Sequence, residues 1–98
     1  TYKGTRAVVV WDPTNSQGQI QLANLPQLDA EKDYQLWIVD PAQKNPVSAG
    51  LIHRAADGSA KVPFQPVQVI STAAAFAISI EKAGGVPVGE GPIVILGK

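Results

Sequence analysis

The chain has 98 residues, of which 45% are hydrophobic, and its eight Lys and Arg balance its eight Asp and Glu, so the formal net charge is zero. This length fits one compact domain, residues 1–98, with a core of its own. The zero charge excludes the broad basic field of a nucleic-acid binder, so no nucleic acid is expected as a partner. The absence of cysteine excludes disulfides, thiolate nucleophiles and cysteine metal sites.

The start of the sequence shows the period-two alternation of β-strands. Residues Arg6 to Asp12 (RAVVVWD) form a continuous β-branched run, typical of a central strand with both faces covered, and Pro13 ends it. The turn-forming residues 13–18 lead to an alternating strand over Gln19 to Ala23, so these two strands are predicted to form a hairpin.

The middle of the sequence contains the strongest strand signal. Residues 25–33 are predicted as a loop, because only about one helical turn fits there. Tyr34 to Val39 is a clear strand, and Trp37 is expected to be a core anchor. After a polar loop, Val47 to His53 is predicted as the fourth strand.

The next segment contains the clearest tight-turn signal, Asp57-Gly58. It separates Leu51–Arg54 from Ala60–Phe64, and these two runs are predicted to pair as an antiparallel hairpin. Pro63 indicates an edge strand, because proline cannot donate to a sheet ladder. Residues 65–72 are expected to cross between sheets.

The last part of the sequence returns to regular alternation. A strand is expected to begin within Ala73–Ala75 and to place Phe76, Ile78 and Ile80 on one face. The Gly/Pro-rich residues 82–92 are predicted to be a long flexible connection, and Ile93 to Leu96 is the final strand. About seven strands at this spacing predict an all-β fold, a small antiparallel β-sandwich with Ig-like architecture.

Catalytic chemistry finds little support in the sequence. His53 is the single histidine, and no serine stands in a Gly-x-Ser-x-Gly elbow, so His53 is expected to be a partly exposed strand residue at a sheet margin. Five carboxylates are candidates for an acid–base pair, but each stands at a strand end or turn, where a carboxylate usually caps backbone groups. They are Asp12, Asp40, Asp57, Glu81 and Glu90. We expect no catalytic residue and no enzyme.

Metal and cofactor signals are also weak. One histidine and no cysteine are too few ligands for a zinc site. The cluster Asp29-x-Glu31-x-Asp33 lacks the turn glycine of a calcium loop and is expected to be solvated. The glycines from Gly84 to Gly91 match no phosphate-binding motif. We predict no cofactor, and no metal-binding or cofactor-binding residue.

Four segments carry a resemblance to a known family. In chain order they are Val9-Val10-Trp11-Asp12-Pro13, Leu25-Pro26 leading into Tyr34-Gln35-Leu36-Trp37, Ala56-Asp57-Gly58, and Glu81-Lys82-Ala83-Gly84-Gly85 running to Gly91-Pro92. Together they resemble the C-terminal extracytoplasmic domain of the anti-sigma-K factor family. Their order and approximate spacing match over nearly the whole chain. The sequence departs from the family at Lys82, where proline is frequent, and within residues 86–90, which are usually rich in Ser, Pro and Thr.

The resemblance implies a transcription regulator anchored in the plasma membrane. A cytoplasmic segment, absent from this chain, would bind the sigma factor, and one transmembrane helix would connect it to this domain in the periplasm or at the cell exterior. Regulated intramembrane proteolysis, with a site-1 protease acting before an intramembrane protease, would then release the sigma factor. No run here reaches the ~18 apolar residues of a membrane-spanning helix, so the chain as given is expected to be soluble.

A second function stays open at this stage, that of a secreted or cell-surface binding module for carbohydrate or protein. It would need an exposed aromatic side chain such as Tyr2 or Trp11, whereas tryptophans in strands this apolar are more often part of the core. Ligand-contacting loops would be residues 13–18, 40–46 and 82–92, where sandwich folds display variable surface. The oligomeric state and the signal sensed are not predicted.

Overall fold

A computed structural model describes residues 4–97 of the chain. Over these residues it has seven β-strands and no helix. The strands are β1 (Arg6–Asp12), β2 (Gln17–Ala23), β3 (Lys32–Val39), β4 (Val47–Ile52), β5 (Ala60–Phe64), β6 (Ala75–Lys82) and β7 (Ile93–Gly97). Tyr2 lies outside the described residues.

The strands form two antiparallel sheets. Sheet A has the order β1-β2-β5, and sheet B has the order β4-β3-β6-β7. The predicted all-β sandwich is therefore confirmed. In constant-type immunoglobulin domains the fourth strand joins the sheet of the first, second and fifth strands, whereas here it pairs with the third strand.

The main core lies between the two sheets and follows the predicted alternation. Tyr34, Leu36 and Ile38 of β3 are buried there, and Ile78 of β6 meets them from the neighbouring strand. Sheet A contributes Ile20 and Leu22 from β2 and Phe64 from β5. Because sheet A buries only this inner face, its outer face carries exposed side chains.

Two predicted strand arrangements are wrong. β1 is an edge strand with one exposed face, because β-branched residues favour any pleated strand, whether or not both its faces are covered. β4 and β5 do not form a hairpin, because β4 pairs with β3 and β5 pairs with β2. The Asp57-Gly58 turn exists, but it lies in a connection that passes from sheet B to sheet A.

Other predictions of the connections are confirmed. β5, which contains Pro63, is an edge strand, and residues 65–74 connect sheet A to sheet B. No helix forms in residues 25–31, where the chain is held by the phenolic O–H of Tyr34, which donates to the Pro26 carbonyl (2.7 Å). β6 begins at Ala75, two residues after the first position considered for it.

An aromatic cluster closes one end of the core. Trp11, Gly18 and Phe64 stand opposite one another on the three strands of sheet A. The Trp11 and Phe64 rings stack across the glycine with centroids 6.1 Å apart and an interplanar angle of 9°, and Phe76 packs edge-on against both. Trp11 therefore packs against core side chains.

The position between these two rings admits only glycine. A Cβ at Gly18 would lie 2.6 Å from Cζ of Phe64 and 2.7 Å from the Val10 carbonyl oxygen. We expect Gly18→Ala to lower the free energy of unfolding by about 1–3 kcal/mol, because the core must shift to accept the methyl group. Urea unfolding followed by tryptophan fluorescence measures this change.

The matched control is Gly97→Ala, since a Cβ at that strand position meets no heavy atom within 4 Å. We expect its unfolding free energy to stay within about 0.5 kcal/mol of the wild-type value. Equal destabilisation by the two substitutions would show that Gly18 does not separate the rings.

Candidate functional site

The site of interest is the outer face of sheet B. It is covered by residues 83–92, which we call the cap loop. Trp37 of β3 and Ala77 of β6 are buried on this face against Val86 of the cap loop. Trp37 is only 3% exposed although it points away from the main core. The two central strands of sheet B, β3 and β6, are therefore buried on both faces. The prediction that Trp37 is a core anchor is confirmed, with the addition that it belongs to a second, smaller core.

Gln35 fixes the first half of the cap loop through its side-chain amide. Its Oε1 accepts the Val86 backbone N–H (2.9 Å), and its Nε2–H donates to the Val86 carbonyl (2.8 Å) and to Ser48 Oγ (2.8 Å). The amide thus pairs with Val86 as a neighbouring strand would. Gly85 lets the chain approach this closely, since its φ is +81° and a Cβ there would lie 2.9 Å from Leu51 Cδ2.

Glu81 fixes the second half of the cap loop. Its Oε1 accepts the backbone N–H groups of Glu90 (3.1 Å) and Gly91 (2.9 Å), and its Oε2 accepts the Ser79 hydroxyl (2.5 Å). Ser79 Oγ in turn accepts the indole Nε1–H of Trp37 (2.8 Å). A continuous hydrogen-bonded chain therefore runs from Trp37 through Ser79 and Glu81 to the loop backbone.

The charge on Glu81 is held in place by this chain. The carboxylate belongs to a residue that is 2% exposed, and burial alone would raise its pKa. The hydrogen bonds from Ser79, Glu90 and Gly91, helped by the charge of Lys32, outweigh burial and hold the pKa of Glu81 below its ordinary value. Glu81 is therefore ionised at neutral pH and acts as an acceptor only.

The cap loop is thus not the long flexible connection predicted from its glycines and prolines. The prediction did not anticipate this fixed conformation because it used only the composition of the loop. Composition shows how easily the loop backbone bends, but it does not show which side chains of the sheet bind that backbone. A usable signal was present in the alternation, which places Gln35, Trp37, Ser79 and Glu81 on one face of two adjacent strands. An outer sheet face that carries both a tryptophan and a carboxylate calls for a covering segment.

Two of the three loops expected to contact ligands meet beside this site. A half-open cavity of about 190 Å³ lies between the cap loop and residues 40–46, with Trp37 and Ala77 in its floor and Val88, Ile93 and Leu96 at its rim. Asn45 and Pro46 line it from the other loop. The third predicted loop, residues 13–18, forms the turn after β1 and the first two residues of β2 in the other sheet, and it does not line this cavity.

Three of the other carboxylates, those of Asp12, Asp40 and Asp57, cap backbone groups as predicted. Asp12 accepts the amide of Thr14 (3.0 Å) and the side-chain amide of Asn15 (2.7 Å), and Asp57 accepts the amide and hydroxyl of Ser59. Asp40 accepts the amides of Ala42 and Ser71. These hydrogen bonds, from Asn15 to Asp12, from Ala42 to Asp40 and from Ser59 to Asp57, are the main reason that the pKa of each aspartate is lowered. The backbone of Glu90 donates to Glu81, so Glu90 takes part through its amide.

His53 and most of the acidic cluster Asp29-x-Glu31-x-Asp33 are exposed in the structure. His53 is exposed just beyond β4, and its Nδ1 lies 3.9 Å from Asp33 Oδ1. Asp29 and Glu31 are exposed in the loop before β3, and no group of three or more potential metal ligands forms in the described part of the chain. Gly84 uses its amide to donate to Asp33 (3.0 Å), which orients this glycine toward the sheet.

One of the comparisons with known proteins found a match. A family model described as anti-sigma-K factor rskA, C-terminal, matches residues 1–93. The chain therefore belongs to the family of anti-sigma-K factor C-terminal domains, a regulatory family that is associated with membranes and acts on sigma factors. Searches of curated proteins and of solved structures gave no match.

The segments that carry the family resemblance all have structural roles in this fold. Trp11 and Asp12 close the aromatic cluster and cap the following turn, and Tyr34 holds Pro26. Gln35 and Trp37 lie under the cap loop, and Gly58 (φ +89°) accepts a hydrogen bond from the Leu25 amide. These segments therefore specify the sandwich and its cap loop.

Replacing the Glu81 carboxylate tests the anchor. We expect Glu81→Gln to lower the free energy of unfolding at pH 7 by about 1–3 kcal/mol, because an amide is a weaker acceptor and brings a donor that has no partner. The stability of the wild type should also fall with pH. A carboxyl whose pKa is lowered on folding stabilises the fold above its ordinary pKa, and this contribution is lost as the pH drops through the folded-state value.

Urea unfolding from pH 7 to pH 3 measures both effects. The wild type should lose stability as the pH passes below the ordinary values of 4.5 for glutamate and 3.8 for aspartate, and Glu81→Gln should lose less over the same interval. Identical pH slopes for the two proteins would contradict a lowered pKa at Glu81.

Two glycines of the cap loop offer a matched pair. A Cβ at Gly91 would lie 1.7 Å from the Ile80 carbonyl oxygen, whereas a Cβ at Gly89 would make an ordinary contact of 3.6 Å with Trp37. We expect Gly91→Ala to displace the loop and lower the free energy of unfolding by about 1–3 kcal/mol, and Gly89→Ala to change it by about 0.5 kcal/mol or less. Urea unfolding and the tryptophan emission maximum measure the two effects. A Gly89→Ala variant as unstable as Gly91→Ala would mean that the loop does not rest on β6 in this way.

Proposed function

We propose that this chain is the extracytoplasmic C-terminal domain, residues 1–98, of a membrane-bound anti-sigma factor, and that its folded state controls release of the sigma factor by regulated proteolysis. The sigma factor would bind a cytoplasmic segment outside this sequence. A site-1 protease and then an intramembrane protease would act on the full-length protein. The observation that carries the proposal is the family match over residues 1–93.

The structure supplies a physical reason for control by folding. Proteases bind extended backbone whose hydrogen-bonding groups are free, and 46 of the 94 described residues lie in paired strands. The cap loop, the longest Gly/Pro-rich segment, is held by Gln35 and Glu81. Cleavage near the domain would therefore depend on opening of the fold.

The open population follows the free energy of unfolding. A loss of one to two kcal/mol raises the unfolded fraction by a factor of roughly 5–30, and cleavage of a transiently open state follows that fraction when opening is fast. A ligand that binds only the folded domain lowers the same fraction. The domain can therefore convert a binding event or a stress into a change in cleavage rate.

The described residues contain no helix long and apolar enough to cross a membrane. The family match over residues 1–93 is what supports a sensing or gating role for this domain. The competing binding-module hypothesis needs an exposed aromatic side chain such as Trp11, but the Trp11 ring stacks on Phe64 of the core.

The test uses the full-length anti-sigma factor in cells that carry a sigma-dependent reporter. Glu81→Gln and Gly91→Ala should raise reporter output several-fold over wild type, and Gly89→Ala should not, because only the first two weaken the cap loop.

Protease added outside intact spheroplasts should digest this domain faster in the two weakened variants. Reporter output that ignores domain stability would contradict control by folding, and a domain protected from external protease in every variant but digested after lysis would contradict the extracytoplasmic location.

A further inference from the structure

The free edge of β1 is the least protected edge of the sandwich. β1 pairs with β2 at seven consecutive positions without a bulge, and within residues 4–97 no strand lies on its other side. Val8 and Val10 on its outer face are 60% and 64% exposed. A long, regular, apolar edge of this kind is a template for pairing with another strand.

The three other edge strands carry features that hinder such pairing. β5 presents Lys61 and Pro63, and β7 follows Pro92 and has a shift in its register with β6. β4 is irregular against β3 between Leu36 and Trp37, and its Ser48 carbonyl accepts the amide of Val67 from the crossing segment. β1 contains no proline, no lysine and no register shift.

The outer face of β1 is complementary to itself. Arg6, Val8, Val10 and Asp12 alternate onto this face, with opposite charges at the two ends and two valines between them. We propose that β1 pairs antiparallel with β1 of a second copy of this chain, about a two-fold axis at Val9. Arg6 then stands opposite the partner's Asp12, and Val8 stands opposite the partner's Val10.

The charges of Arg6 and Asp12 favour this register, and they favour a second copy of the chain as the partner at the free edge of β1. A shift of two residues in either direction removes both Arg6–Asp12 pairs, whereas the proposed register forms them together at the two ends of the interface. Opposite charges across a strand pair stabilise it, and a two-fold contact closes after two copies. The result is one six-stranded sheet that joins the two copies of sheet A.

A cleft beside β1 adds a second reason. It has a volume of about 160 Å³, opens between β1 and β7, and is lined by Val9 and by Ile20, Phe76, Ile78 and Ile95 from four other strand positions. In the joined sheet, the apolar inner-face side chains of the partner's β1 lie on the same side of the sheet as this cleft. Pairing at this edge therefore covers apolar surface on both faces of β1.

The first test is sedimentation equilibrium of the 98-residue chain up to about 1 mM. We expect a dimer whose Kd rises about tenfold or more in Arg6→Glu, because two like-charge pairs replace two opposite ones, and similarly in Val10→Lys. Lys61→Glu makes the same charge change on the exposed face of β5 and should leave the Kd unchanged. Mixing Arg6→Glu with Asp12→Lys should restore a dimer, since the mixed pair regains both charge contacts.

Both Arg6 and Val10 are exposed, so these two variants are expected to fold. Asp12 also accepts hydrogen bonds from Thr14 and Asn15 in the following turn, so melting curves check the fold of Asp12→Lys as well as that of the other two variants. A wild-type chain that stays monomeric at every concentration would overturn the proposal. A dimer that ignores Arg6→Glu and Val10→Lys, or an open-ended series of assemblies, would also overturn it. So would a monomer whose β1 amides become protected only when a different polypeptide is added.

Cysteine cross-linking locates the two-fold axis, because the chain has no cysteine of its own. Opposite Cα atoms in an antiparallel pair lie about 4.5–5.5 Å apart, within disulfide range, so Val9→Cys should oxidise to a covalent dimer. Val8→Cys is the matched control, since two residues 8 are offset along the strands beyond the ~7 Å that a disulfide can bridge. Faster cross-linking of the more exposed Val8→Cys than of Val9→Cys would overturn the register.

Discussion

The hydrogen bonds of the buried Glu81 carboxylate are the interaction on which the cap loop and the outer face of sheet B depend. The carboxylate lies under the cap loop, where burial disfavours its charge, and it keeps that charge by accepting hydrogen bonds from Ser79, Glu90 and Gly91. The loop needs the carboxylate to hold its amides, and the carboxylate needs the loop to satisfy its oxygens. Trp37 joins the same network through Ser79, so one set of hydrogen bonds fixes both the loop and the largest side chain beneath it. Such mutually dependent groups form and break together.

This arrangement makes the two sheets unequal. The centre of sheet B is covered on its inner face by sheet A and on its outer face by the cap loop, whereas sheet A is covered on its inner face only. The eight-residue strands β3 and β6 at the centre of sheet B carry buried residues on both faces. The exposed valines of β1, in contrast, lie on the outer face of sheet A, which nothing within the described residues covers. The domain therefore has a strongly supported sheet centre and an edge open to contact, and both properties are compatible with the proposed control of cleavage by folding.

The sequence was sufficient to predict the strands, because period-two alternation records which residues share a face. It predicted the β1–β2 pair, the inward face of β3 and β6 and the edge position of Pro63. The sequence-based prediction failed where two different strand pairings are compatible with the same alternation of buried and exposed residues. Ile52 and Ala60 point into the core both in a hairpin and in a crossing between sheets, so the Asp57-Gly58 turn did not decide how β4 and β5 pair. It failed again at the cap loop, whose fixed conformation comes from Gln35 and Glu81. Gln35 lies 51 positions along the chain from the Val86 amide that it binds, and Glu81 lies 9 and 10 positions from the amides of Glu90 and Gly91.

The most direct test of this account is amide hydrogen exchange of the cap loop, compared residue by residue with the strands. Hydrogen bonding to Gln35 and Glu81 predicts that the amides of Val86, Glu90 and Gly91 exchange as slowly as those of β6, and that Glu81→Gln selectively speeds exchange at Glu90 and Gly91 while Val86 keeps its Gln35 contact. Exchange of all three amides in the wild type at the rate of an unstructured peptide would contradict the claim that these two side chains hold the loop on the sheet.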